Sequence, residues 1–243
     1  MQNPDRDRRP EFRVYAVRVM FRLDAASGAV TVIFPFVIIP LNELNAFLGN
    51  HQANPHGWLG MHPLTQGPTA GVVVRAFMKA AVKCAVIDLE TAEALPYPME
   101  QLAPEGFFEV FIPGKVIFRY QLRYETSWGD MHQIHHAYAF LPTLSAQDLY
   151  LFNEGNEHRI YEKLGAHIRT MGEVPGVAFA VWAPAASRVS LVGNFNNWDP
   201  RYHPMRPLGG SGVWELFVPD VRAGELYKFA IWDQAGHRQL KTD

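Results

Sequence analysis

Short runs of β-branched and aromatic residues, broken by Gly and Pro, dominate the chain from residue 72 onward. Residues 72–77 (VVVRAF), 84–87 (CAVI), 107–112 (FFEVFI) and 118–124 (FRYQLRY) each have the length and composition of a strand. Helical periodicity is sparse. Its clearest instance is 41–48 (LNELNAFL), which opens after Pro40, closes at Gly49 and sets apolar residues 41, 44, 47 and 48 on one side. The pattern predicts an all-β protein with a short helix near the start of its first strand-rich unit.

The strand pattern also repeats. Residues 71–87 (GVVVRAFMKAAVKCAVI) read against 176–192 (GVAFAVWAPAASRVSLV) at a constant offset of 105. Residues 106–113 (GFFEVFIP) match 212–219 (GVWELFVP) at an offset of 106, as Pro98-Met99 matches Pro204-Met205. Residues 119–122 (RYQL) parallel 226–229 (LYKF) at 107, with Gly129 and Gly236 marking a turn after each. Short loop insertions account for the drift. A period of this length is too long for a solenoid unit and suits one small sandwich, so we expect two tandem immunoglobulin-like β-sandwiches, over 41–142 and 168–243. Residues 143–167 contain too many large apolar side chains for a solvated tether and are expected to form a packed connector. Residues 1–12 are charged and turn-prone, and 12–40 offer further strands with no counterpart in the second copy, which leaves 1–40 as an extension.

Composition narrows the function classes. The 22 Lys plus Arg nearly balance 24 Asp plus Glu, so the net charge of −2 gives no general electrostatic reason for nucleic acid or an anionic membrane as partner. With 48% hydrophobic residues the chain can bury a sizeable core. A single cysteine, Cys84, excludes an internal disulfide and any multi-cysteine metal framework, and points to a reducing, cytoplasmic setting. The longest apolar run, 29–39 (AVTVIFPFVII), is interrupted by Pro35 and falls well short of the roughly 20 residues that span a bilayer.

The second copy carries a loop that the first lacks. After its second strand comes 193–200 (GNFNNWDP), where the first copy has 88–96 (DLETAEALP) with no aromatic. Gly and repeated Asn suit a tight turn with positive φ, and such a turn can hold Trp198 out at the sandwich edge. An indole covers the apolar C–H face of a pyranose while amides bond its hydroxyls, so Trp198 with Asn196 and Asn197 forms a candidate sugar site. Strand alternation puts Tyr227, Phe229 and Ile231 on one face and Lys228, Ala230 and Trp232 on the other, so Lys228 and Trp232 are expected to extend that site. Trp182 and Trp214 align with Phe77 and Phe108, which predicts shared packing roles. His132 and His136 would share a strand face and could start a zinc site, but no carboxylate follows within three residues and a catalytic zinc needs about three protein ligands. We expect no metal and no cofactor. Motifs for a nucleophile elbow, a phosphate loop or a zinc protease are absent.

Several segments resemble a known family. YEKLGAH (161–167), FAVWAP (179–184), VGNFNNW (192–198), HPM (203–205) and GVWELF (212–217), with Asn54-Pro55-His56, Leu59-Gly60 and His62-Pro63 earlier, are similar to the N-terminal half of bacterial 1,4-α-glucan branching enzymes, which build the α-1,6 branches of glycogen. In that family two β-sandwich modules precede a catalytic (β/α)8 barrel, the second module being of a glycogen-binding class shared with debranching enzymes and a regulatory kinase subunit. The resemblance implies that Trp198 is the sugar-stacking loop tryptophan and Lys228 the strand lysine of such a module. A second stacking tryptophan is missing, since Gly236-His237-Arg238-Gln239 follows the final turn, which implies weak binding on the order of millimolar, about −4 kcal/mol. The nucleophile and acid/base carboxylate of the barrel have no positions in these residues. The expectation is a non-catalytic region that binds or orients α-glucan for a barrel-type partner. The alternative is a free-standing glycogen-binding scaffold whose partner supplies catalysis.

Overall fold

The computed structural model describes residues 39–243 apart from 53, 92 and 94, together with the backbone of two short strands before them. Those strands, β1 (Met20–Leu23) and β2 (Val30–Ile33), form an antiparallel hairpin with Met20 opposite Ile33. Residues 1–19, 24–29 and 34–38, together most of the N-terminal extension, lie outside the described residues.

Helix α1 (Leu41–Leu48) has the bounds that its periodicity predicts, and it buries Leu44 and Phe47 while Leu41 stays exposed. Seven antiparallel strands follow: β3 (Gly60–Gln66), β4 (Thr69–Phe77), β5 (Ala81–Asp88), β6 (Tyr97–Ala103), β7 (Phe107–Pro113), β8 (Tyr120–Thr126) and β9 (Met131–Ile134). They are ordered β3-β4-β7-β6-β5-β8-β9. Strand β6 turns this single sheet into a sandwich: Tyr97 to Met99 pair with β5, Glu100 onward pairs with β7, and a bulge between Gln101 and Ala103 bends the strand from one layer to the other. Alternation then points Val72, Val74 and Ala76 of β4 inward against Cys84, Val86, Phe108, Ile112 and Leu122.

The second half repeats the plan. Helix α2 (Ala146–Asn153) is followed by β10 (Gly165–Met171), β11 (Val174–Trp182), β12 (Arg188–Gly193), β13 (Arg206–Pro207), β14 (Val213–Pro219), β15 (Tyr227–Trp232) and β16 (Arg238–Lys241). Its two sheets run β10-β11-β14-β13 and β12-β15-β16, the strand order of the first half cut at the joint, where a lone bridge between Ser190 and Pro204 remains. Register repeats too. Gly71 faces Pro113 as Gly176 faces Pro219, and Phe77 faces Phe107 as Trp182 faces Val213.

The duplication reaches further back than the strand pattern alone indicates. Leu44 and Phe47 of α1 correspond at offset 105 to Leu149 and Phe152 of α2, and the 3₁₀ turn Pro55–Gly57 corresponds to Ile160–Glu162. Gly60 (φ 90°) has its twin in Gly165 (φ 93°), and the His62 Nε2 bond to the Leu59 carbonyl (2.8 Å) has its twin between His167 Nε2 and the Leu164 carbonyl (2.7 Å). The segment expected as a connector is the second copy's own opening. Within it Leu149, Phe152 and Leu164 pack against Leu144, Ala180, Leu208 and Val213.

One apolar cluster crosses between the halves, from Phe47, Trp58 and Phe107 through Tyr138 to Phe179, Leu191, Leu216 and Phe229. Tyr202 meets Phe77 edge-on at 5.2 Å, the Arg201 guanidinium lies over the same ring at 5.1 Å, and the Tyr138 hydroxyl donates to the Pro204 carbonyl at 3.0 Å. Buried Glu215 accepts from the backbone N–H and hydroxyl of Thr143 and pairs with Arg206 at 2.8 Å, while Arg206 also donates to the Phe140 carbonyl.

Candidate binding site

The candidate loop begins where β12 ends. Gly193 fits there for a steric reason: a Cβ would lie 2.5 Å from the Leu226 carbonyl oxygen and 2.7 Å from the Phe195 ring. The chain then makes one 3₁₀ turn, Asn194–Asn196, and two consecutive left-handed residues, Asn197 (φ 53°) and Trp198 (φ 59°). Asn tolerates this conformation, but for a bulky L-residue such as Trp it costs about 1–2 kcal/mol. The Trp198 N–H closes the turn onto the Gly193 carbonyl at 3.0 Å.

This backbone sets the Trp198 side chain outward, 40% exposed, and its indole N–H donates to Asn194 Oδ1 at 3.1 Å, which fixes the orientation of the ring. Asn197 is exposed beside it. The loop is tied down at its far end, where Asp199 pairs with Arg201 at 2.7 Å and with Lys79 of the first half at 3.4 Å. Burial pushes the Asp199 carboxyl up, but the bonds from Arg201 outweigh it and hold the group below the usual carboxylate range. Lys228 is half-buried on β15 opposite Val192, one residue from the Gly193 end of the loop.

Two expected contacts are corrected by burial. Asn196 is 2% exposed, and its amide is spent on the loop itself: Oδ1 accepts from Gly193 N–H at 2.9 Å, and Nδ2 donates to the Leu191 carbonyl at 2.9 Å and to His203 Nδ1 at 2.8 Å. Burial lowers the His203 pKa to about 4, which keeps that ring neutral and able to accept. Trp232 lies on the expected outer face but is only 5% exposed, clustered with Val192 and Ala230 and covered by the Arg188 guanidinium at 4.7 Å. Neither presents a surface to a ligand. Trp214 is buried as its alignment with Phe108 predicts, whereas Trp182 is 55% exposed, unlike sealed Phe77.

The histidines disperse. Strand β9 stops at Ile134, so strand alternation no longer relates His132 to His136. His132 stacks on Tyr124 at 5.0 Å, His135 meets Asp220 at 3.0 Å, and buried His136 bonds the Tyr120 hydroxyl at 2.8 Å with its pKa lowered by burial to about 3. Among the described residues no group of three or more His, Cys, Asp or Glu could hold a metal ion, and no helix is long and apolar enough to cross a membrane.

Residues 40–138 match the family described as alpha-1,4-glucan branching enzyme GlgB, N-terminal domain, and residues 163–243 match carbohydrate-binding module 48, the isoamylase N-terminal domain. Both matches and the relative that follows make the chain similar to the N-terminal region of the branching enzymes. It is 44% identical over 203 residues to the 1,4-alpha-glucan branching enzyme GlgB of Nostoc sp. (strain PCC 7120), a match covering 83% of this chain and 26% of that protein. The chain thus spans about a quarter of the length of that branching enzyme. Among solved structures it is similar to pullulanase type I from Bacillus subtilis strain 168 complexed with maltose (20% identity, TM-score 0.28, 76% of this chain and 24% of that one). It is likewise similar to a pullulanase from Anoxybacillus sp. LM18-11 complexed with maltotriose (18%, 0.28, 76% and 25%). The Trp198 loop falls inside the module 48 match, and the tryptophan-free 88–96 loop inside the branching-enzyme domain match.

Proposed function

We propose that this region binds α-glucan through the Trp198 loop and orients it for the branching chemistry of a (β/α)8 barrel, without making or breaking a glycosidic bond itself. One observation carries the reading: a half-exposed indole is held on a strained left-handed backbone, with its N–H tied to Asn194 and its loop anchored to the other half of the chain. Strain of this kind persists only where surrounding bonds over-determine it, and it concentrates at binding sites. The ring offers its face to the C–H side of glucose, exposed Asn197 supplies an amide for hydroxyls, and Lys228 adds a donor at the base of the loop. The module 48 match supports a carbohydrate ligand, and the branching-enzyme match supports α-glucan as its class. A cytoplasmic setting is part of the proposal, supported by the lone, buried Cys84.

The test is a titration of maltoheptaose followed by tryptophan fluorescence. Wild type should show saturable quenching that Trp198→Ala removes, and equal quenching in both proteins would refute the assignment. Incubation with amylose followed by iodine staining should show no branching, and a shift in the stain would overturn the non-catalytic part.

A further inference from the structure

The seam between the halves encloses a second feature with binding chemistry, a cleft of about 310 Å³. Tyr124 and His135 line it from the first half, Phe195 and Tyr202 from the segment that also carries Trp198, and Asp220 and Glu225 from the turn after β14. Its volume is at the lower end of the range for small-molecule sites, and its make-up, aromatic walls with a few convergent polar groups, is the usual one. Asp220 is held at the mouth by His135 at 3.0 Å and sits in a left-handed backbone conformation (φ 64°).

The charge pattern selects the ligand. Two carboxylates and no Lys or Arg line the cleft among the described residues, and the His136 and His203 rings behind them are kept neutral by burial. Phosphorylated sugars and other anions would meet repulsion from these carboxylates with no Lys or Arg in the lining to offset it. A neutral polyol would not, because the carboxylates accept hydrogen bonds from hydroxyls while the aromatic walls cover C–H faces.

We propose that this cleft is a second carbohydrate site, independent of Trp198, which takes roughly one or two neutral glucosyl units with the ring against Tyr124 and hydroxyls bonded to Asp220 and Glu225. Naming the sugar as α-glucan rests on the reading of the Trp198 loop, but the existence of the site does not.

The experiment is a two-dimensional amide NMR titration of the whole chain with maltotriose and, separately, glucose 1-phosphate. Maltotriose should move the amides of His135, Asp220, Val221 and Glu225 in wild type and equally in Trp198→Ala, and glucose 1-phosphate should move none of them. The double variant Asp220→Asn, Glu225→Gln keeps shape, and Asn accepts the left-handed backbone. It should weaken the cleft response at least tenfold and leave the Trp198 quench unchanged. Silence of these amides when Trp198 is saturated overturns the proposal, as does their loss in Trp198→Ala or an equal response to glucose 1-phosphate. Cleft shifts without any Trp198 response would uphold this site and refute the loop reading instead.

Discussion

The two sandwiches share strand order, register and an opening helix, yet one has a sealed flank and the other an open one. In the first, Phe77 at the end of β4 is enclosed by Phe47 of α1 and by Tyr202 and Arg201 from the other half. In the second, the equivalent Trp182 meets the edge of Phe152 at 6.0 Å and remains 55% exposed. The loops diverge in the same way. Asp88 closes its turn by accepting from the Glu90 and Thr91 N–H groups and pairing with Lys115, whereas the equivalent turn begins with Gly193 and ends by holding an indole out. Duplication fixes the scaffold, and residues that take no part in the shared core differentiate the copies.

A paired feature offers the largest test. Glu109 of β7 and Glu215 of β14 occupy equivalent positions, but Glu109 pairs with Arg75 of β4 on one flank and Glu215 with Arg206 of β13 on the other. Removing one member of a buried pair strands a charge, so Glu215→Ala should cost about 3–5 kcal/mol in urea unfolding. The double change Arg206→Met, Glu215→Met should cost clearly less. Equal losses would mean that Glu215 matters through Thr143 rather than through Arg206.

Acid should strike the seam next. His136 and His203 have folded pKa values lowered by burial to about 3 and about 4, while in the unfolded chain they titrate near 6.5. The unfolded state therefore takes up protons first. The stability these rings contribute is complete above pH 6.5 and is lost as pH falls toward 4, on the order of 3 kcal/mol for each ring. Urea midpoints between pH 7 and 4.5 should show this slope, and His136→Gln, which can still bond Tyr120, should reduce it.

Binding effects are smaller. Trp198→Ala should weaken maltoheptaose binding at least tenfold, about 1.4 kcal/mol, with an unchanged urea midpoint. Lys228→Ala should cost roughly two- to threefold, about 0.5 kcal/mol. An effect from Lys228 as large as that from Trp198 would move the centre of the site from the loop to the strand face.

Much of this was legible in the chain. Helix α1, the long strands and the duplication follow from periodicity, because the buried faces need apolar residues at fixed spacing. The early start of the second copy was harder to see: LNELNAFL and AQDLYLFN share little beyond Leu44/Leu149 and Phe47/Phe152, although Leu-Gly-x-His at 59–62 and 164–167 marks it. The misplaced residues fail for tertiary reasons. Alternation assigns Trp232 to a face but cannot tell whether that face is covered. Asn196 turns inward because a tight turn leaves donors that its amide satisfies. Trp182 departs from its twin because the cover over Phe77 comes from the neighbouring half, which composition does not reveal.

The apolar cluster that joins the halves has a mechanical consequence. With Tyr138 and Tyr202 locked across the seam and Asp199 held from both sides, the rim indole keeps a constant bearing relative to the first sandwich. A polymer caught there would be gripped by a bracket rather than a swivel, so the direction in which it leaves is a property of the whole chain.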